Sequence, residues 1–167
     1  AAPKGGEVRF GVEGTFNSLN PFILKGLAPA NIDAIYDSLC EKSDDEISSC
    51  YGLVAESMAL SNNKFVLSFK LRKNAFWHDG KKISADDVIF TFNKLISDGH
   101  PSYKIAYSQV KEVKKINNFQ VKFIFKNNQS RDLPLLIASM KILPKHYYEN
   151  HEFNKTYLTP PLGSGPY

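Results

Sequence analysis

The sequence lacks the long apolar runs of a membrane protein. It is also poor in cysteine, a common metal ligand. It has two cysteines, two methionines and one tryptophan among 167 residues. No apolar run reaches the roughly 18 residues that a membrane-spanning helix needs, so we expect no membrane span. Cys40 and Cys50 are ten positions apart with no histidine nearby, which is not a zinc-binding pattern.

Motifs typical of enzymes are also missing. There is no G-x-S-x-G nucleophile elbow, no phosphate-binding loop and no H-E-x-x-H motif. His146 and His151 are five positions apart, so they do not share a helix face. The net charge is +4, and only Lys111, Lys114 and Lys115 form a tight basic group. We therefore expect no enzyme, no cofactor, no metal site and no nucleic-acid partner.

The composition favours a globular chain with β-structure. Hydrophobic residues make up 43% of the sequence, and 12 Phe and 8 Tyr stand against 2 Met, which is typical of a β-containing core. The length fits one domain, or one domain and a piece of another. The first residues, Ala1–Gly6, contain no signal peptide, so we expect a processed form whose export signal has been removed.

The segment 65–96 gives the clearest local prediction. Residues 65–72 alternate between apolar and polar, which predicts a strand, and Asp79-Gly80 predicts a tight turn. Ser84 and Asp87 then resemble a capping box ahead of an amphipathic helix. The three carboxylates Asp79, Asp86 and Asp87 are alternatively a catalytic or metal-binding cluster, although turn and capping roles are favoured.

The neighbouring aromatic pair also has two interpretations. Trp77 and His78 are either a ligand-stacking pair or, as we favour, a partly buried plug at a sheet edge.

The remaining pattern predicts an α+β fold, with a mixed or antiparallel sheet and packed helices. Strands are expected in a first hairpin (53–61 and 65–72), in a second hairpin (110–116 and 119–125) and at Val8–Val12. Helices are expected at 30–39, 88–96, 133–140 and 145–150, with a loop or loose helix at 102–109. Three regions follow from this pattern: residues 1–38 with one strand and a loop, a small α+β domain at 39–160, and a Pro/Gly-rich linker at 161–167.

The two cysteines flank the polar stretch 41–49, and a loop between two strand ends would bring them within bridging distance. In an oxidising compartment a Cys40–Cys50 disulfide is favoured, and the alternative is two small buried thiols.

Several long motifs, in order along the chain, resemble those of the family 5 extracellular solute-binding proteins, which include dipeptide-, oligopeptide- and nickel-binding proteins. The motifs are Ser18–Phe22, Gly52–Ser57, Leu71–Val88 and Gly163–Tyr167. More narrowly, four motifs are similar to the YejA-like branch, whose members bind oligopeptides and microcin C for an ABC importer. They are Ala2–Gly6, Gly14–Gly26, Gly99–Pro101 and Leu158–Tyr167.

The resemblance implies the N-terminal part of a periplasmic binding protein of type II fold. Residues 1–38 then belong to the first ligand-binding lobe, 39–160 are a small extra domain, and 161–167 re-enter the first lobe. At the positions that match the family pattern, the backbone of Lys25-Gly26-Leu27 would contact an oligopeptide, and the side chain of Tyr103 would lean over it. Alternatively, these residues are an ordinary surface loop and a partly buried tyrosine.

Full members of the family are several times longer, so the resemblance implies a truncated form that binds peptides poorly by itself. The implied location is the periplasm, and the implied partners are an oligopeptide and an ABC importer permease. The alternative is a stand-alone module that docks to a chain carrying the missing lobe, through Val8–Val12, Ile23, Leu24 and Leu27.

Overall fold

The computed structural model describes residues 11, 14–43, 45–46 and 49–166. These residues contain six strands: β1 Cys40–Lys42, β2 Cys50–Gly52, β3 Ala55–Leu60, β4 Val66–Leu71, β5 Val110–Asn117 and β6 Gln120–Phe125. The α-helices are α1 Ala85–Asp98, α2 Pro101–Ala106, α3 Leu133–Ala138 and α4 Lys145–Tyr148, preceded by a 3-10 helix at Ile32–Ile35. In these ranges no helix has the length and apolar character needed to cross a bilayer.

The two predicted hairpins are confirmed. They are β3–β4 and β5–β6, and pairing of β4 with β6 joins them into one antiparallel sheet of order β3-β4-β6-β5. A separate antiparallel pair, β1–β2, closes the polar stretch between the cysteines. The α+β class is therefore confirmed, with both sheets antiparallel.

The core lies between one face of the large sheet and α1. Alternation along β4 and β6 directs Phe69 and Phe123 to this face, where both are fully buried and meet edge to face at 5.9 Å. The apolar stripe of α1 covers them, and the ring centroids of Phe92 and Phe123 are 5.6 Å apart.

Asp79-Gly80 forms the predicted turn, in which Gly80 has a φ of 82°. Trp77 is only 2% exposed, so it is a core residue and more deeply buried than the partly buried plug that was predicted.

The start of α1 confirms the capping interpretation of its acidic residues. Asp87 is 5% exposed, and one of its oxygens accepts from the Ser84 backbone N–H at 2.9 Å. Its other oxygen accepts from the Lys145 N–H at 3.0 Å, which fixes the start of α4 as well. Asp86 lies at the surface and pairs with Lys115 at 2.6 Å. Within the described ranges, no group of three metal-ligating side chains is found.

The helix predicted at 30–39 is mostly wrong. Only a 3-10 turn at Ile32–Ile35 forms, and Tyr36 is already extended. The carbonyl of Ile35 is engaged by a remote segment, since it accepts from the N–H groups of Ser164 and Gly165 at 2.9 and 2.8 Å. A tertiary contact thus replaces the hydrogen bond that would extend the helix. At 102–109, where a loop or a loose helix was expected, the structure has the short helix α2, which begins one residue earlier, at Pro101, and ends at Ala106.

Both predicted domain boundaries lie within well-packed structure. Phe22 and Tyr36, from the N-terminal region, belong to the same hydrophobic core as the sheet. The supposed linker is held by the His78 N–H, which donates to the Gly163 carbonyl at 3.0 Å. The division into 1–38, 39–160 and 161–167 stays a prediction. The predicted strand at Val8–Val12 falls, except for Gly11, outside the described residues.

Cys40 and Cys50 both carry free thiols on the same face of the β1–β2 pair. Cys40 is paired with Gly52 and Cys50 with Lys42, so the two cysteines are diagonal neighbours. Diagonal Cα atoms are typically about 7 Å apart, just beyond the usual disulfide range. Burial, together with the adjacent Cys50 thiol, raises the pKa of Cys40 to about 12. The Cys40–Cys50 disulfide stays a prediction.

We expect protein expressed in an oxidising compartment to contain the Cys40–Cys50 bridge, because the hairpin needs only a local twist to close the diagonal. Mass spectrometry with alkylation, before and after reduction, measures this. In reduced protein, Cys50 should be alkylated faster than Cys40, which is buried and rarely forms the thiolate. Two freely alkylated thiols in unreduced protein would exclude the bridge.

Replacing Asp87 by alanine should lower the free energy of unfolding by about 2–3 kcal/mol, because it leaves donors of Ser84 and Lys145 without acceptors. Chemical denaturation measures this change. The matched control is Asp86→Ala, which removes only a surface ion pair and should cost about 0–1 kcal/mol. Equal losses for the two variants would contradict the capping role of Asp87.

Candidate functional site

A cleft of about 430 Å³ lies where the N-terminal region meets the helices of the α+β domain. Its lining comes from three parts of the chain: the N-terminal region, the end of α1 with α2, and the end of α3. The lining residues are Pro21, Phe22, Asp33, Leu95, Tyr103, Tyr107, Leu136, Ser139, Met140 and Lys141. This cleft is the candidate functional site, because it contains Tyr103, the predicted ligand contact.

Two stacked tyrosines on and next to α2 form one wall of the cleft. The rings of Tyr103 and Tyr107 are nearly parallel, with centroids 6.2 Å apart. Tyr107 is buried and packs against Phe92, which anchors the pair to the core. Burial raises the pKa of both phenols, and the charge of Asp33 adds to the effect on Tyr103. Both hydroxyls therefore stay neutral near pH 7 and can donate as well as accept hydrogen bonds.

The charged groups of the cleft lie on its other walls. Asp33 is on the 3-10 helix, and Lys141 follows α3, where its Nζ is 3.9 Å from Glu41. With Met140 and Phe22 supplying apolar surface, the cleft offers one carboxylate, one ammonium group and neutral phenols. Such a lining can hold a molecule that combines apolar groups with amide groups, as a peptide does.

The N-terminal region is attached to the α+β domain by buried hydrogen bonds from Asn20. Its side-chain N–H groups donate to the carbonyl of Phe153 at 2.7 Å, and its oxygen accepts from the Phe22 N–H at 3.1 Å. The carbonyl of Phe22 in turn accepts from the His100 N–H at 2.7 Å, directly before α2. Hydrogen bonds of Asn20 and His100 thus join the N-terminal region to the elements that form the rest of the cleft.

The loop Lys25-Gly26-Leu27 is exposed and is not part of the lining of the Tyr103 cleft. It is closed by Asn17, whose side-chain oxygen accepts from the Leu27 N–H at 2.7 Å. The Leu27 carbonyl accepts from the N–H groups of Asn17 and Ser18 at 3.0 and 3.2 Å. Both backbone groups of Leu27 are therefore engaged within the chain, whereas among the described residues no hydrogen bond to the backbone of Lys25 or Gly26 is found.

Among the described residues, the structure brings Tyr103 together with side chains that the motifs did not single out. Asp33, Tyr107 and Lys141 are far apart in the sequence and meet only through tertiary packing. A partial signal was available for Tyr107, because Tyr103 and Tyr107 are spaced one helical turn apart. No local pattern marks Asp33 or Lys141.

Residues 50–167 match the family described as "Bacterial extracellular solute-binding proteins, family 5 Middle". The chain belongs to this family. Its members are binding proteins rather than enzymes, in agreement with the expectation from the sequence.

Curated relatives cover nearly the whole chain. The peptidoglycan-binding protein YepA of Agrobacterium fabrum is 39% identical over 98% of this chain. The probable peptide-binding protein YejA of the same organism is 34% identical over 99% of it, and YejA of Escherichia coli is 35% identical over 100%. The chain spans 27–28% of the length of these three relatives.

Solved structures give the same picture of the fold. NikZ of Campylobacter jejuni, in complex with Ni(L-His), is 29% identical with a TM-score of 0.75, covering 93% of this chain and 31% of NikZ. The oligopeptide-binding protein AppA of Bacillus subtilis, in complex with a nonapeptide, is 27% identical with a TM-score of 0.70. That match covers 92% of this chain and 31% of AppA. The predicted relation to a fragment of the type II periplasmic binding protein fold is confirmed.

Replacing Gly26 by alanine should destabilise the loop at 25–27 and with it the N-terminal region. Gly26 has a φ of 83°, and an added Cβ would lie 2.8 Å from Thr156 Cγ2 and 2.9 Å from Ser18 Cβ. The matched control is Gly80→Ala, since Gly80 has a φ of 82° but no atom within 4 Å of the added Cβ.

We expect Gly26→Ala to lower the free energy of unfolding by about 1–2 kcal/mol more than Gly80→Ala. The reason is that, of these two positions, only Gly26 has atoms close to an added Cβ. Thermal or chemical unfolding of both variants measures the difference. If Gly80→Ala lowers the free energy of unfolding as much as Gly26→Ala does, the loop at 25–27 does not pack closely against Thr156.

Proposed function

We propose that this chain is part of the oligopeptide-binding component of an ABC importer, located in the periplasm. Membership of the family 5 solute-binding proteins and the names of the YejA relatives support this proposal. The single observation that carries it is the cleft between the N-terminal region and the α+β domain, with Tyr103 on its wall.

In this proposal the peptide lies extended along the cleft and is recognised mainly by its main chain. Neutral phenols suit amide groups, because they donate and accept hydrogen bonds without the desolvation cost of a charge. Tyr103 leans over the peptide, and the backbone groups of Lys25 and Gly26 offer further contacts. Main-chain recognition tolerates varied side chains, which a receptor for mixed oligopeptides requires.

The rest of the site comes from a second lobe that closes over the peptide and excludes water. A pocket that holds a ligand tightly buries most of its surface. The cleft is open to solvent between its walls, so a peptide bound there would keep much of its surface in contact with water. We therefore propose that the 167 residues fold but bind peptides weakly by themselves.

Isothermal titration of the isolated chain with mixed tri- to octapeptides should give dissociation constants of about 1 mM or weaker, since an open cleft buries little of the ligand. NMR spectra at high peptide concentration should show shift changes confined to residues around the cleft, with Tyr103→Ala reducing them and Tyr103→Phe reducing them less. A variant remote from the cleft, Ile116→Lys, serves as the control. Micromolar binding by the isolated chain would contradict the requirement for a second lobe.

A second proposal is a stand-alone module that docks to a chain carrying the missing lobe. Exposed apolar residues of the N-terminal region favour it, since Phe16, Leu24 and Leu27 are 49%, 68% and 58% exposed. Ile23 is only 6% exposed and belongs to the core, so its predicted part in this docking surface is wrong. Co-purification with a separately expressed second lobe of a YejA relative tests this proposal, with Leu24→Lys expected to abolish the interaction.

A further inference from the structure

The two edges of the large sheet differ in how they are protected from other chains. The strand order places β3 at one edge and β5 at the other. β5 has the sequence VKEVKKIN, in which four of the eight residues are charged, as is typical of edge strands that must not pair. β3 has the sequence AESMAL, with Glu56 as its only charged residue. The β3 edge therefore lacks this protection.

The backbone groups that β3 directs outward follow from its pairing with β4. The N–H of Ser61 donates to the Val66 carbonyl at 2.9 Å, so Ser61 directs its backbone groups towards β4. Successive residues of a strand direct these groups to alternate sides, and Ala59 therefore also faces β4. The N–H and C=O groups of Met58 and Leu60 point away from the sheet, where the described residues supply no partner strand.

The side chains of the same two residues extend the apolar face of the sheet to its edge. Met58 is paired with Phe69 and Leu60 with Leu67, so both lie on the face that carries the core. Phe69 and Leu67 are fully buried, whereas Met58 is 36% and Leu60 is 40% exposed. The helices thus cover the middle of the sheet and leave an apolar margin along β3.

We propose that β3 is a self-association edge, at which β3 of a second copy pairs antiparallel and joins the two sheets into one. In the register with the most hydrogen bonds, Met58 is opposite Leu60 of the second copy and Leu60 is opposite its Met58. These are the residues whose backbone groups point outward, so each pair exchanges two hydrogen bonds. Four apolar side chains then form one cluster on the core face.

The composition of β3 favours a second copy over an unrelated strand, because the paired strands complement themselves. Ala59 falls opposite Ala59 of the second copy, at a position where side chains approach closely and small residues fit. Further out, Ser57 is opposite Ser61, and Glu56 is opposite Asn62. No pair of like charges meets in this register, in contrast to β5, where several lysines would have to come together.

Sedimentation velocity or light scattering across a concentration series of the 167-residue chain tests this proposal. We expect a monomer–dimer equilibrium that Leu60→Lys shifts to at least about tenfold higher concentration, because it places an ammonium group in the apolar cluster. The matched control is Ile116→Lys on β5, where the residue is 47% exposed and the dimer should be unchanged. Thermal unfolding shows whether each variant is folded, and Met58→Lys serves if Leu60→Lys is not.

The register is tested separately by cysteine cross-linking. Ala59→Cys should give a covalent dimer on mild oxidation much faster than Ser57→Cys or the unmodified chain, because only residue 59 meets itself across the two-fold axis. A monomer at all concentrations, a dimer that survives Leu60→Lys, or equal cross-linking at residues 57 and 59 would each overturn the proposal. The β3 edge is separate from the Tyr103 cleft, so these outcomes do not depend on peptide binding.

Discussion

The pairing of β4 with β6 is the interaction on which the rest of the structure depends. Each belongs to a hairpin that is local in sequence, and a two-stranded hairpin alone is marginally stable in water. Their register places Phe69 opposite Val121, both fully buried, and creates the apolar surface that α1 covers. Because α2 follows α1 directly, the same pairing determines where Tyr103 and Tyr107 lie.

The other wall of the cleft depends on contacts that are remote in sequence. Asn20 is held by the carbonyl of Phe153, and Ile35 is held by the N–H groups of Ser164 and Gly165. Buried hydrogen bonds of this kind are costly to break, since each leaves a polar group without water or partner. Hydrogen bonds thus join the N-terminal region and the segment after residue 160 to the rest of the structure, although these two parts are far apart in the sequence.

This division between local and remote contacts explains what the sequence could predict. Both hairpins and α1 were predictable, because alternation, turn residues and the Ser84–Asp87 capping box act over a few positions. The helix expected at 30–39 failed because the Ile35 carbonyl binds a segment about 130 residues away, which no periodicity reveals. Tyr103 was identified through a family motif, whereas Asp33 and Lys141 join it only through packing.

The core and the cleft differ in how far each is enclosed by the chain. The core of the α+β domain is closed on itself, since the side chains between the sheet and α1 are buried without help from a further lobe. The Tyr103 cleft is open, and packing of Tyr107 against Phe92 holds Tyr107, on which Tyr103 stacks. A preformed wall of this kind lowers the entropy cost of binding but supplies few contacts. It follows that the packing of the core sets the positions of the two tyrosines, and that the fold needs no ligand to hold them.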